Sequence, residues 1–382
     1  MDKNIERSRV IVVSAINFTE GGPLEVLIKF LDSITEKLPF GWRIIALVHD
    51  KNLIQNNNVE VVEVRKAKKS WVNRLYIEWF AYDALLSGIK VDAWISLHDI
   101  TPRVPATVQF VYCHNPAAFY SPSWLEIFLE PKLFVFSRLY KFVYRLRIQK
   151  NTAVIVQQEW LRKQFQQRFN YNNVWVARPF QAEQGQRRGK LEQRTARAAP
   201  SLRKTFFFPA LGRVFKNHIL LVEACKILCA RGMDNFDILF TLSGDENRYT
   251  KWLYKQCRSI KNIRWLGYQF REQMDHHYKQ CDALVFPSKL ETWGLPISEA
   301  TAYGVPILLA DLPYAHEALG SYDKACFFSP ESPEILAGLM QNVIEDKMSF
   351  NPVFYEEPCA PYASDWSGLS KMLIAEIDRT VG

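Results

Sequence analysis

Two glutamates eight positions apart, Glu291 and Glu299, flank a turn and the opening of the helix that follows it, with Gly294 and Pro296 between them. Cys281-Asp-Ala-Leu-Val-Phe286 is a short apolar run of strand type, ended by Pro287-Ser288. Gly294 gives the chain a permissive backbone, and Pro296 suits the first turn of a helix, where a missing N–H costs nothing. Glu291 is therefore placed in a loop above a strand end, and Glu299 in the opening of a helix. Free N–H groups around Leu295, Ile297 and Ser298, with the positive end of the helix dipole, would attract an anion such as a phosphate. A carboxylate beside that anion cannot be a phosphate ligand, so its partners are hydroxyls, of which sugars and riboses have many. Together these residues predict a site for a nucleotide sugar.

A second basic constellation lies in Pro209-Ala-Leu-Gly212-Arg213-Val-Phe-Lys216-Asn217-His218, where a strand passes into a helix and two cations stand three positions apart. Such a pair could neutralise a diphosphate as it leaves. Near the start, Gly21-Gly22-Pro23 lies between a strand and an apolar helix expected over Leu24 to Ile34, where paired glycines let backbone pass close to a ligand. His98 and His114 each follow a strand-like run, Ala93 to Leu97 and Val108 to Tyr112, and Gln157-Gln158-Glu159 follows Ala153 to Val156. No Asp-x-Asp motif falls in a suitable loop and no His-x-x-x-His occurs, so a catalytic divalent metal is not implied.

The string Pro287-Ser-x-x-Glu291-x-Trp-Gly294-Leu295-x-x-x-Glu299-Ala-x-x-x-Gly304-x-Pro306 closely resembles the signature of the retaining glycosyltransferases of family 4, which have the GT-B fold. The resemblance runs through most of the C-terminal half and, more loosely, the N-terminal half. It implies that Glu291 holds donor-sugar hydroxyls, Glu299 the ribose hydroxyls and the backbone near Leu295 the diphosphate. Gly212-Arg213-x-x-Lys216 looks like the family's Gly-Arg-x-Lys-Gly region, with Asn217 in place of the usual glycine. Gly21 and Gly22 correspond to its glycine-rich loop, facing the donor phosphates and the acceptor. His114 corresponds to a histidine close to the transferred sugar; His98 and Gln158 are lesser, acceptor-side candidates. The nucleotide base is expected near Trp265 to Tyr268.

The elements that must position these residues are legible as rhythm. Strand-like runs at 10–14, 43–48, 59–64, 93–97, 108–112 and 153–156 alternate with helical stretches, and a second series runs at 205–208, 236–240, 263–266, 283–286, 306–309 and 325–328. Alternation of this kind predicts parallel, doubly wound sheets with ligands at the strand ends. The expected fold is α/β, GT-B, with two Rossmann-like domains facing a central cleft. An acceptor-side domain is expected over residues 1–180 and a nucleotide-sugar domain over 205–355, with an exposed linker over 181–204, which is rich in Gln, Arg and Ala. Residues 356–382 are expected to hold a C-terminal helix that returns to the first domain, with an apolar stripe through Trp366, Leu369, Leu373 and Ile377.

A chain of 382 residues can bury two cores. Its seven cysteines, odd in number and without Cys-x-x-Cys, indicate neither a disulfide framework nor a zinc site. No apolar run is long enough to span a membrane, and the opening residues lack the apolar stretch of a signal peptide, so a cytoplasmic protein is expected. A net charge of +8 favours anionic partners. Basic and aromatic residues mix at helical spacing over 64–80 and 128–150, a composition suited to an anionic membrane surface, whereas no nucleic-acid-binding module is visible. The expected activity is transfer of a sugar, by family frequency mannose, from a nucleoside diphosphate to a lipid-linked glycan or polysaccharide acceptor at the cytoplasmic membrane face, as in lipopolysaccharide O-antigen assembly, with no cofactor. Its rivals are a nucleotide-sugar 2-epimerase of the same fold and a non-catalytic nucleotide-sugar-binding partner.

Overall fold

The computed structural model describes residues 8–19, 21–65, 71–178, 203–350 and 355–381. It divides into two compact units, one made of Met1–Phe119, Arg138–Gln181 and Pro358–Gly382, the other of Tyr120–Ser137 and Ala182–Glu357. Residues 120–137, expected in the first domain, thus group with the second. Most of the expected linker lies outside the described residues.

In the first unit eight parallel strands, β1 (Val10–Ser14), β2 (Arg43–Val48), β3 (Val59–Glu63), β4 (Ala93–Ser96), β5 (Val108–Cys113), β6 (Ala153–Val156), β7 (Val174–Ala177) and β14 (Tyr362–Ala363), form one sheet in the order β14-β7-β6-β5-β4-β1-β2-β3. Its inner strands are buried on both faces, which is why they read as continuous Val/Ile runs rather than alternating ones. In the second unit β8 (Lys204–Phe208), β9 (Phe236–Phe240), β10 (Ile263–Trp265), β11 (Ala283–Phe286), β12 (Ile307–Ala310) and β13 (Ala325–Phe328) are parallel in the order β10-β9-β8-β11-β12-β13. That order reverses direction between β8 and β11, paired through Ala283 with Phe206 and Leu284 with Phe207. In sheets of this kind ligands bind outside the carboxyl ends of the strands at such a reversal of strand order.

Two strands escaped sequence reading. β7 is only four residues long, and β14 is a two-residue strand held in register by Tyr362 with Val176 and Ala363 with Ala177. The guanidinium of Arg162 secures it by donating to the carbonyls of Cys359 (2.9 Å) and Pro361 (2.5 Å). Beyond β14, the helix Trp366–Val381 packs on the helix Gly21–Lys37: Leu369, Leu373 and Ile377 share a core with Leu27, Phe30 and Ile34. The rings of Phe30 and Trp366 meet edge to face at 5.9 Å.

The helix Pro131–Arg145 has two distinct apolar faces. Leu133, Tyr140, Val143 and Tyr144 are buried, while Val135 and Phe142 stand 59% and 62% exposed beside the exposed Lys132, Arg138 and Arg145. The burial expected of an amphipathic helix accounts for one face only. In the other basic, aromatic stretch residues 66–70 lie outside the described set; Tyr76 and Phe80 are exposed, whereas Arg74 and Glu78 are buried. Among the described residues no helix is long and apolar enough to cross a membrane.

Candidate functional site

After β8 the chain turns through Gly212, whose position is forced by packing: a Cβ there would lie 2.1 Å from Thr250 Cγ2, and its carbonyl accepts a 2.7 Å hydrogen bond from Asn247 Nδ2. A short 3-10 turn, Val214–Lys216, follows, and Asn217 at φ 60° opens the helix His218–Ala230. Asparagine tolerates this left-handed conformation better than most residues, which explains how it stands where glycine would be expected. Its buried side chain also donates to the carbonyls of Pro330 (2.9 Å) and Pro287 (3.3 Å), fastening the turn to the end of β11. The amide of Lys289 donates to the carbonyl of Phe215 at 2.7 Å, joining the two loops directly.

This scaffold brings Lys216 and Glu291, separated by 75 residues, into a direct ion pair between Nζ and Oε1. Arg213 Nε pairs with Glu130 Oε1, and Glu130 Oε2 accepts from the amide of Val214 at 3.2 Å. Glu130 was invisible to sequence reading because it comes from the 120–137 excursion, with no motif to connect it to the loop. Beyond Gly294, at φ 78°, the helix Leu295–Ala302 begins without a side-chain cap. A Cβ at Gly294 would lie 3.0 Å from Ile297 Cδ1 in addition to being strained. The Ile297 amide, expected to be free for an anion, instead donates to the Gly294 carbonyl at 2.9 Å, so the anion-binding expectation narrows to the neighbouring groups at Leu295 and Ser298. Trp293 Nε1 lies 3.1 Å from Ser298 Oγ and braces the turn from inside.

Glu299 is fully engaged. Its Oε1 accepts from Arg271 Nη1 at 2.5 Å and its Oε2 from Tyr278 Oη at 2.7 Å. Burial, followed by the charge of Glu299, holds the Tyr278 hydroxyl well above its usual range, so it stays a donor. Arg271 and Tyr278 sit seven residues apart on the helix Arg271–Gln280, a spacing that puts them on one face. That periodicity was the signal available in the sequence, but nothing local says which carboxylate the face meets. Of the segment expected near the base, Trp265 packs on Phe240 and Tyr254, while Tyr268 is exposed.

In the first unit the expected residues fare differently. Gly21 and Gly22 do not form a loop: they are the first residues of the helix Gly21–Lys37. A Cβ at Gly22 would meet nothing within 4 Å, so no close approach in this structure requires glycine there. His98, expected on the acceptor side, is wholly buried. Its Nε2 lies 2.8 Å from Ser14 Oγ and 3.2 Å from Glu78 Oε1, and its Nδ1 lies 3.4 Å from Arg74 Nη2. A guanidinium only donates, so Nδ1 is the acceptor and Nε2 carries the proton. Burial, reinforced by Arg74, holds the imidazole neutral, while burial pushes Glu78 up to about 8 against the opposing pull of Arg74 and Tyr82. This network sits where β1 and β4 part, beside a π-helical turn at Ile77–Ala81, and positions backbone rather than presenting itself to a ligand. Gln158 is likewise fully buried, with Oε1 accepting from Trp160 Nε1 at 2.6 Å.

His114 is half-buried, its Nδ1 3.2 Å from Gln157 Nε2 and its ring 4.3 Å from that of Tyr112. Burial lowers its pKa to about 3, leaving a neutral imidazole at physiological pH. Asp99, at φ 72°, accepts from the amides of His114 (2.6 Å) and Asn115 (2.9 Å) and from Tyr144 Oη (3.1 Å), so a second residue fixes the loop that carries it.

Residues 191–356, which contain every candidate of the second unit except Glu130, match the family model of glycosyl transferases group 1. O-antigen chain mannosyltransferase B of Escherichia coli is 33% identical over 85 residues, 22% of each chain. The curated relatives that the chain matches are covered over less than a third of their length. Among solved structures, sucrose-phosphate synthase from Thermosynechococcus elongatus superposes with a TM-score of 0.63 at 11% identity, over 97% of this chain and 94% of the other. The Anabaena protein HepE, in complex with UDP and glucose, gives 0.59 at 16% identity, over 97% of both. Two Rossmann-like units and these structural likenesses define a GT-B fold, within which residues 191–356 are similar to the group 1 glycosyl transferases.

Proposed function

We propose that this chain is a retaining, metal-independent glycosyltransferase that moves a sugar from a nucleoside diphosphate to an acceptor. The observation that carries the reading is the convergence, where β8 and β11 part, of the Lys216–Glu291 pair, Arg213 and an uncapped helix start leading to Glu299. Glu299 would take the ribose hydroxyls, Glu291 the donor sugar, and Arg213, Lys216 and the helix start near Gly294 and Leu295 the diphosphate. As the bond to the diphosphate breaks, positive charge develops on the sugar and negative charge on the leaving group; holding that separation is the main electrostatic task. In the first unit His114, neutral and held by its Asp99-anchored loop, is proposed to lie beside the transferred sugar. The name of the Escherichia coli relative favours mannose and a bacterial O-antigen setting.

Melting curves with UDP, GDP and their sugars test the reading, because a ligand of the folded state raises stability in proportion to its affinity. One nucleoside diphosphate and its sugar should stabilise the protein, and the sugar should be transferred or hydrolysed in excess EDTA. Binding without turnover would leave a non-catalytic role, and strict dependence on a divalent ion would contradict the metal-free chemistry.

The acceptor is proposed to be presented at an anionic membrane surface, met by the exposed basic and apolar face of the helix Pro131–Arg145. Reversing Arg138, Lys141 and Arg145 to Glu should release the protein from phosphatidylglycerol vesicles while its melting temperature stays close to that of the parent, since Arg138 and Arg145 are solvated. In the parent, binding should weaken between low and physiological salt, because the attraction is screened over roughly 8 to 10 Å. Unchanged sedimentation of the triple variant would rule out this face.

A further inference from the structure

The 120–137 excursion is fastened to the candidate phosphate site by more than one contact. Ser123 caps the short helix Trp124–Leu129 in a reciprocal arrangement, with Glu126 Oε2 accepting from the Ser123 amide at 2.7 Å. The other oxygen of Glu126 accepts from Tyr120 Oη at 2.8 Å and lies 3.6 Å from Lys289 Nζ. The Tyr120 ring meets Phe215, between Arg213 and Lys216, at 6.3 Å. Glu130 completes the set by pairing with Arg213 and taking the Val214 amide, its side chain only 18% exposed. A lone surface ion pair would carry little weight. Here one segment places two carboxylates against the loops that bear Arg213 and Lys289, and a carboxylate that bridges a guanidinium and a backbone N–H makes the contacts a phosphate oxygen would make.

We propose that Glu130 makes on Arg213 and the Val214 amide the contacts that the donor's diphosphate would make, so that a nucleoside diphosphate must displace this carboxylate from Arg213 in order to bind. The inference rests on the phosphate role proposed for Arg213. With Lys216 already neutralised by Glu291, Arg213 is the cation an incoming diphosphate must win from a competitor supplied by another segment. Glu130 thereby sets the threshold of charge a ligand needs: a diphosphate can compete for the guanidinium, and an uncharged nucleoside gains nothing from its release.

Calorimetric titration of UDP and GDP into the full chain and its Glu130→Gln variant tests this. Glutamine keeps an oxygen that can accept from Val214 and removes only the charge. The variant should bind whichever nucleoside diphosphate the parent binds about tenfold more tightly, the order expected from removing one nearby like charge. Affinity for the corresponding nucleoside should not change. In an Arg213→Ala background the same substitution should have little effect, because the competition has lost its object. Unchanged or weaker diphosphate binding by Glu130→Gln, with a melting curve like the parent's, would overturn the inference while leaving the phosphate site in place. An equal gain in the Arg213→Ala background would reduce it to a general field effect and overturn it as well. If neither UDP nor GDP binds parent or variant, the nucleotide reading of the site falls and this inference falls with it.

Discussion

Replacing Lys216 or Arg213 by alanine should lower sugar transfer by a factor on the order of 100 or more, because each cation meets charge that appears only as the diphosphate departs. The two losses should not be equal. Lys216 is the more enclosed, its side chain 15% exposed against 40% for Arg213, and its removal leaves Glu291 without its cation next to the incoming phosphate. Its loss should therefore be the larger and should appear in both kcat and KM. Arg213→Ala also leaves Glu130 without its guanidinium partner, and the double variant Arg213→Ala, Glu130→Gln should behave much like Arg213→Ala in both affinity and kcat, since the competition for the guanidinium is already gone. Steady-state kinetics with the donor found by melting curves give these values, and far-UV circular dichroism confirms the fold. Near-normal rates in both single variants would leave the helix start near Leu295 as the phosphate site.

The second large effect separates the two glutamates. Glu299→Ala should weaken binding of the nucleoside diphosphate by about 1 to 3 kcal/mol, the cost of charge-assisted hydrogen bonds to ribose. Glu291→Ala should spare the free nucleotide and impair transfer, since its proposed partners are on the sugar. The Arg271 and Tyr278 contacts of Glu299 complicate the first variant, because alanine strands a buried phenol. Glu299→Gln is the cleaner test: it can still accept from Tyr278, so a loss of affinity at unchanged melting temperature isolates the charge. Calorimetry reads both, and equal losses from Glu291→Ala and Glu299→Ala would end the division of roles.

Local sequence was enough for twelve of the strands and for the turns that follow β8 and β11. Short Val, Ile, Leu and Phe runs bounded by turn residues suit strands buried on both faces, and their alternation with helical periodicity favours a parallel, doubly wound arrangement. Gly294 and Pro296 fixed a helix start, and the glutamate spacing fixed which two carboxylates flank it. These are local facts, settled by backbone sterics and by a period of 2 or 3.6 residues. Local pattern carries no information about partners far along the chain. That Lys216 meets Glu291, that Glu299 is held by Arg271 and Tyr278, and that Arg213 is held by a glutamate from a segment otherwise read as part of the other domain follow from the strand order β8-β11 and from the path of residues 120–137. His98 shows the converse. Its place after β4 suggested a ligand group, but Arg74 and Glu78 from the helical segment between β3 and β4, with Ser14 at the end of β1, enclose it, and its ring nitrogens face these partners inside the fold. Tertiary packing made that choice, because whether a polar side chain at a strand end faces solvent or core depends on which helix crosses over it, and no residue near His98 records that.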